Sequence, residues 1–535
     1  MSATLVLLVL GVYLLCLFGI GVASSRKIFS DQQLFLGNRD LPWWAIGLSV
    51  VSTYVGALSF VGAPAWSYTD GLSVLLIHLN YPLAIIFVIT VFLPFFYNSG
   101  VPSIYDYLES RFGLASRTLM AAVFLVSNFA YTGVMLYATA LIIGYLTGFD
   151  LTLTIIGVGF LVLFYTSSGG ITAVVWTDVL QTAAFAIGGI LVFVLVSLQL
   201  PDGLINRLEQ LERMDMLRLL EFSTDPADVS TIWTGLGAMS IYHIVVYGVN
   251  QMMVQRTLAA KTIGDAKKAY LLMGYVASTI YFIFFAIGVM LFAFYEGNAF
   301  EDNNLILIEF VKASSVPLIT ALVAVAIVAS AMSSLDSSVN SMATVTMVDF
   351  IKRFQKNDSS PQFYLRLTRV FTCFWTFAAV VPAIFLIDSE GSVLELLSKF
   401  GSFFVGAKLS LYLLGFYSQH ATERGVLIGV VAGFSALVIA EIYFDIAWPW
   451  YALIGGVVSI ITGWFASILL DGYREEPHEF SIRGQKHLFE LQGRKVQEDG
   501  WYLLPGSFDR QSLWLFLFFC VNILATFLFD FMYQD

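Results

Sequence analysis

Ser330-Ala331-Met332-Ser333-Ser334-Leu335-Asp336-Ser337-Ser338-Val339-Asn340-Ser341 places an oxygen at nearly every turn of an apolar stretch running from about 316 to 349. Ser330, Ser333, Ser334, Ser337 and Ser341 recur at steps of three and four, so one broad helix face carries them. Small hydroxyls also act as packing glue between membrane helices. Five of them, with Asp336 and Asn340 alongside, exceed what such an interface requires. Hard cations take oxygen ligands, and this face is built to stand in for an ion's hydration shell.

The composition puts that helix in a membrane. Hydrophobic residues make up 58% of the 535 and charged residues only 12%, about half the charged share of an average soluble domain. Mean hydropathy is +0.81. The net charge is -11 and no basic face suited to nucleic acid is evident. Cys16, Cys373 and Cys520 lie in separate apolar segments without metal-ligand spacing. The first apolar run, Thr4 to Ala23, lacks a basic leader and is long enough to cross, so it reads as a retained span.

Apolar stretches predict about fourteen transmembrane helices in an all-α polytopic membrane protein. They lie near 4–23, 41–66, 71–97, 118–148, 151–166, 173–199, 232–255, 269–296, 316–349, 366–387, 392–417, 424–444, 448–470 and 512–531. Basic residues set the orientation. With the N-terminus outside, the inner loops hold Arg26, Lys27, Arg39, Arg111, Arg256, Lys261, Lys267, Lys268, Lys352, Arg353 and Lys356, and the outer 200–231 loop is acid-rich. Both termini are then extracytoplasmic. The 203–220 stretch reads as an amphipathic surface helix, and 471–511 as a polar cytoplasmic connector.

Two further features are out of place in lipid. Leu48 to Pro64 clusters serines, a threonine and glycines at mid-span. Such a helix either unwinds to line a cavity with free carbonyls, or packs closely on a neighbour through its small residues. Asp178 lies a few residues inside the sixth span, beside Thr177. It faces the bundle interior or caps the helix start. Lys399 and Lys408 lie inside the eleventh span; the first is placed to snorkel, while the deeper Lys408 needs an anion.

Trp43-Trp44, Tyr105 through Gly113, Gly169-Gly170, Trp176 through Gln181, Asn250-Gln251 with Val254-Gln255-Arg256, and Met332 through Asp349 together resemble the sodium:solute symporter family. The resemblance implies a core of two inverted five-helix repeats, each opened by a discontinuous helix. The chain then divides into a peripheral helix and inner loop (1–40), a first repeat (41–199), an extracytoplasmic loop (200–231) and a second repeat (232–418). Two peripheral helices (419–470), the connector (471–511) and a last peripheral helix (512–535) follow.

Carried over by resemblance, a shared sodium site takes carbonyls of Ser52, Val55 and Ser330 and hydroxyls of Ser333 and Ser334. A second sodium site resembles Asp178, Ser333, Asp336 and Ser337, although Asp336 stands where the sialic acid branch has serine. That carboxylate can tighten a second sodium, bind a proton, or pair with Lys408. Ser59, His78, Tyr81 and Asn250 fall on solute contacts, His78 serving equally well as a hydrogen-bonded core residue. Lys408 can meet a solute carboxylate. The implied function is sodium-coupled symport of a small organic solute across the cell membrane by alternating access, with sodium as coupling ion. The cargo is an organic anion such as a monocarboxylate or sialic acid, or alternatively a sugar. A transporter-like sensor is the other alternative. No enzyme chemistry and no obligate protein partner are expected.

Overall fold

The computed structural model describes residues 2–25, 31–37, 39–56, 58–99, 103–200, 203–300, 302–314, 316–355, 359–387, 393–473 and 478–532, and nearly all are helical. Among them, ten helices are long and apolar enough to cross a membrane. Burial sorts these into centre and rim. Only 17% of the apolar windows of Leu5–Ser24 and Arg510–Met532 is buried, against 78% for Pro317–Lys352 and 89% for Ser59–Asn98. The serine-rich helix therefore runs through the middle of the bundle, and the first and last helices face lipid.

Two glycines divide what would otherwise be overlong helices. Gly170 (φ 54°, ψ -161°) interrupts Leu151–Gln199, and Gly71 (φ 73°) separates Ala63–Asp70 from the 3₁₀ turn Gly71–His78. Both angles lie where a Cβ is disfavoured, so the chain reverses there without a polar loop.

Two other helices break in mid-course. Trp43–Tyr54 stops at Val55 (φ -82°, ψ 76°), and the chain resumes through a π-helical turn, Leu58–Gly62, into Ala63–Asp70. Met239–Gly248, itself preceded by a π-helical turn at Thr234–Ala238, stops at Val249, and Gln251–Leu258 continues it. Asn250 restarts the helix by capping, its side chain accepting from Met252 N at 3.0 Å. Of the two readings of Leu48 to Pro64, unwinding and close packing, the structure has the chain unwind, at Val55–Gly56.

Small residues set the closest helix contacts, as is usual in membranes. Gly425, Gly429 and Gly433, one turn apart along Glu423–Tyr443, lie against Ser467, Gly463 and Ser459 of Pro449–Asp471. The 471–511 stretch is more ordered than a polar connector implies. Helix Ile482–Leu491 is followed by a hairpin pairing Gln497 with Tyr502 and Glu498 with Trp501. Its turn, Asp499-Gly500, has positive φ at both positions. Trp501 is buried against Gly264, and Lys267 Nζ meets Asp509 Oδ2 at 2.6 Å with both side chains fully buried. Lys267, read as an inner-loop cation, is therefore a docking residue for this segment.

Candidate functional site

The break at Val55 faces the serine helix. Ser333 Oγ donates to Ser52 O at 2.8 Å and lies 2.9 Å from Ser330 O. Ser334 Oγ donates to Thr53 O at 3.1 Å. Ser52, Val55, Ser330, Ser333 and Ser334 are all fully buried. Gly56 is what lets the two strands of backbone and helix approach: a Cβ there would sit 2.5 Å from Ser334 Oγ and 2.9 Å from Met135 Cε. The structure thus joins three of the five residues assigned to the shared ion site, Ser52, Ser330 and Ser333, through direct hydrogen bonds, with Ser334 bonded to the neighbouring Thr53 carbonyl and Val55 at the helix end.

The acidic cluster has a different set of neighbours. Asp178 is fully buried, eight positions past the turn at Gly170, and Arg256 from the second broken helix meets it, Nη2 to Oδ2 at 3.3 Å. Ser49 Oγ also donates to Asp178 Oδ2. Arg256 Nε donates to Ser49 Oγ at 2.8 Å, Nη1 to Met252 O at 2.5 Å, and Nη2 to Ser337 Oγ. Arg256, counted from sequence among the inner-loop cations, is only 1% exposed and belongs to this site. Asp336 is buried too, with its Oδ1 3.2 Å from Ser337 Oγ.

The residues assigned to solute contacts divide between two cavities. One, of about 110 Å³, is lined by Ser59, His78, Trp66, Tyr281 and Trp448. The other, of about 90 Å³, is lined by Thr53, Ser127, Asn128, Asn250 and Lys408. Tyr54, Tyr131, Tyr242 and Gly401 line both, so three tyrosines form the partition. Tyr81 lines neither; it stands behind His78, its hydroxyl 2.6 Å from His78 Nδ1. His78 stacks on Tyr281 at 3.9 Å, and Tyr281 Oη is 2.8 Å from Ser59 Oγ.

Lys408 does not pair with Asp336. Its Nζ donates to Ser127 Oγ at 3.2 Å, with the Phe124 ring centre at 6.0 Å. The Lys399 side chain lies outside the described residues.

A hydrogen-bond chain holds the partition. Asn80 Nδ2 donates to Ile77 O at 2.9 Å and Gly235 O at 2.8 Å, which turns its Oδ1 toward His243 Nδ1 at 2.5 Å. An amide oxygen only accepts, so Nδ1 carries the proton. Nε2 of the neutral ring therefore accepts from Tyr54 Oη, 2.7 Å away. His243, Asn80 and Tyr54 were not singled out from sequence. A lone histidine in an apolar run carries no signal of its own, and Asn80 gains its meaning only from contacts 155 and 163 residues away.

The sodium:solute symporter family model matches residues 34–433. Sodium-coupled monocarboxylate transporter 2 of Bos taurus is 30% identical over 431 residues, 78% of this chain and 69% of that transporter. A sodium/sialic acid symporter of Aliivibrio fischeri is 28% identical over 474 residues, 87% of this chain and 93% of the symporter. A solved substrate-bound, outward-open Na⁺-coupled sialic acid symporter has a TM-score of 0.82 at 25% identity, covering 88% of this chain and 99% of the other.

Proposed function

The chain belongs to the sodium:solute symporter family, and from that premise we propose that it imports a small organic anion together with sodium. The observation that carries the reading is the meeting of Ser52 O, Ser330 O, Ser333 Oγ and Ser334 Oγ at the break after Tyr54. The donors are hard oxygens, they are buried, and they come from two helices far apart in sequence. Sodium there ties the broken helix to the serine helix.

The ion reaches the solute through the backbone. Ser52 and Val55 flank Thr53 and Tyr54, whose side chains line the cavity that holds Lys408. Ordering the carbonyls orders that wall, so each ligand raises the other's affinity by the same factor, with coupling free energies of about 1–3 kcal/mol typical of such linkage. Lys408 supplies the positive charge for a carboxylate, while Asn250, Asn128 and Ser127 offer polar groups around it. The relatives named for monocarboxylate and sialic acid agree with this cargo, and they do not favour a sugar.

Fourteen crossings follow once the two broken helices, the segment before Gly170 and Val393–Tyr417 are added to the ten apolar helices. The paired breaks at Val55 and Val249 support two inverted repeats, over 41–199 and 232–418, that exchange access between the two cavities. The positive-inside bias supports termini on the outside.

The purified protein in proteoliposomes tests this. Radiolabelled pyruvate or N-acetylneuraminate is expected to accumulate under an inward sodium gradient and not when potassium replaces sodium. Equal flux in both salts, or uptake confined to glucose, overturns the reading. A second expectation concerns Gly56. Overpacking costs about 1–3 kcal/mol, so Gly56→Ala is expected to weaken sodium-dependent thermal stabilisation by about tenfold in concentration. An unaltered sodium titration would show that the Gly56–Ser334 approach is unrelated to the ion.

A further inference from the structure

Residues 478–509 lie beyond the 34–433 stretch that the family model matches, and they dock at two places. At the first, Phe480 O accepts from Tyr107 Oη at 2.9 Å, on helix Ile104–Arg111. Arg111 ties that helix to the end of Val393–Tyr417 through the carbonyls of Gly415 and Ser418. The second dock joins the helical stretch 81–99 to Ile263–Tyr295. Asn98 Nδ2 donates to Leu503 O at 2.8 Å, and Gly506 N to Thr90 O at 2.9 Å. Lys267 Nζ donates to Tyr502 O at 2.8 Å and pairs with Asp509, while Trp501 covers Gly264. No slack separates the docks. Gly493 (φ 58°) follows helix Ile482–Leu491, and Arg494 N donates back to Phe489 O at 3.0 Å. Val496 O then accepts from Leu503 N at 2.9 Å and closes the hairpin. Only Lys495 stands between these two hydrogen-bonded units, so the docks cannot part unless bonds break.

We propose that residues 478–509 form a strap that holds 81–99 and Ile263–Tyr295 against helix Ile104–Arg111 and slows the opening of the Lys408 cavity at that end. The motion restrained is the alternating access of the symport reading, on which this rests. Helix Gln251–Leu258 lines the cavity through Met252 and Met253, and leads directly into the docked start of Ile263–Tyr295. The second dock is the firmer. Its ion pair is fully buried, and rupture leaves an uncompensated charge. The first dock is one neutral hydrogen bond, with Phe480 and Ile482 packed on the cluster that holds Tyr107. It is the end that lets go.

A protease recognition sequence inserted between Gly493 and Arg494 lets the strap be cut while each half stays anchored by its own membrane helix, Pro449–Asp471 or Arg510–Met532. Both residues are exposed, and exposed loops accept insertions. The readout is alkylation of Met253→Cys, a buried position lining the Lys408 cavity, in the full chain with Cys16, Cys373 and Cys520 changed to serine. Cutting is expected to speed alkylation by about fivefold or more over the chain without insertion, the low end of coupling between distant elements. The uncut insertion adds slack and is expected to fall between the two. Asp509→Ala, which removes the partner of Lys267, is expected to act in the same direction without a cut. Equal rates before and after complete cutting, or slower alkylation, overturn the strap. So does a cut chain that loses its melting transition, because the segment is then a structural brace. Faster alkylation without sodium-driven uptake of a carboxylate keeps the strap and removes the symport reading. Sodium-driven uptake with unchanged alkylation does the reverse.

Discussion

Ser333→Ala is expected to raise the sodium concentration needed for half-maximal stabilisation by about 10- to 100-fold, the equivalent of a charge-assisted contact of about 1.5–3 kcal/mol. Ser333 Oγ stands between Ser52 O and Ser330 O, and no other side chain reaches both carbonyls among the described residues. Alanine is smaller by one oxygen and suits a helix, so the fold is retained and the loss falls on the ion. The measurement is the melting temperature of purified protein titrated with sodium at constant ionic strength. Ser341→Ala is the matched control. Its hydroxyl lies on the same helix, buried and without a hydrogen-bond partner among the described residues, and its removal is expected to leave the titration unchanged. Equal shifts in the two variants would mean that Ser333 serves packing alone.

What could be read in advance follows the range of the interaction that decides each feature. The serine face was legible because helix periodicity is local, while the small residues of Leu48 to Pro64 left unwinding and close packing both open until the break appeared at Val55–Gly56. Asp178 was legible as an acid in lipid, but its partner was not. Arg256 sits 78 residues away, near the end of an apolar run, where sequence alone counts it toward orientation. Asn250 is assigned to the solute by the family resemblance alone. Its side chain caps the next helix while also lining the Lys408 cavity, and no spacing rule distinguishes those roles. The division of Ser59 and His78 from Asn250 and Lys408 depends on three tyrosines brought together from helices around 54, 131 and 242. The docking of 471–511 rests on Lys267 and Asp509, 242 positions apart. Pattern reveals which residues are unusual for their setting; only the fold reveals which of them neutralise one another.

Lys408→Met is expected to abolish carboxylate uptake while sparing the response to sodium. The ammonium has three protons; one goes to Ser127 Oγ, and among the described residues no acid stands beside it to neutralise the charge. A buried cation that lines a cavity and lacks an internal counter-ion is stabilised when the cargo brings one. Removing one partner of a buried ion pair costs about 3–5 kcal/mol, so the carboxylate's KM should rise by a hundredfold or more, to about the limit of detection. Methionine keeps the length and fits irregular gaps, and Lys408 is no part of the oxygen cluster at Ser333, so sodium should still raise the melting temperature. Lys408→Arg separates charge from shape: a planar fork with the same charge is expected to retain weakened uptake. An uncharged amide analogue of the same carboxylate discriminates further, since it gains nothing from the ammonium in the parent. If the carboxylate is transported by Lys408→Met with unchanged kinetics, the lysine is no anion site. If acid and amide binding fall together, it holds the helix against Ser127 and the charge is incidental.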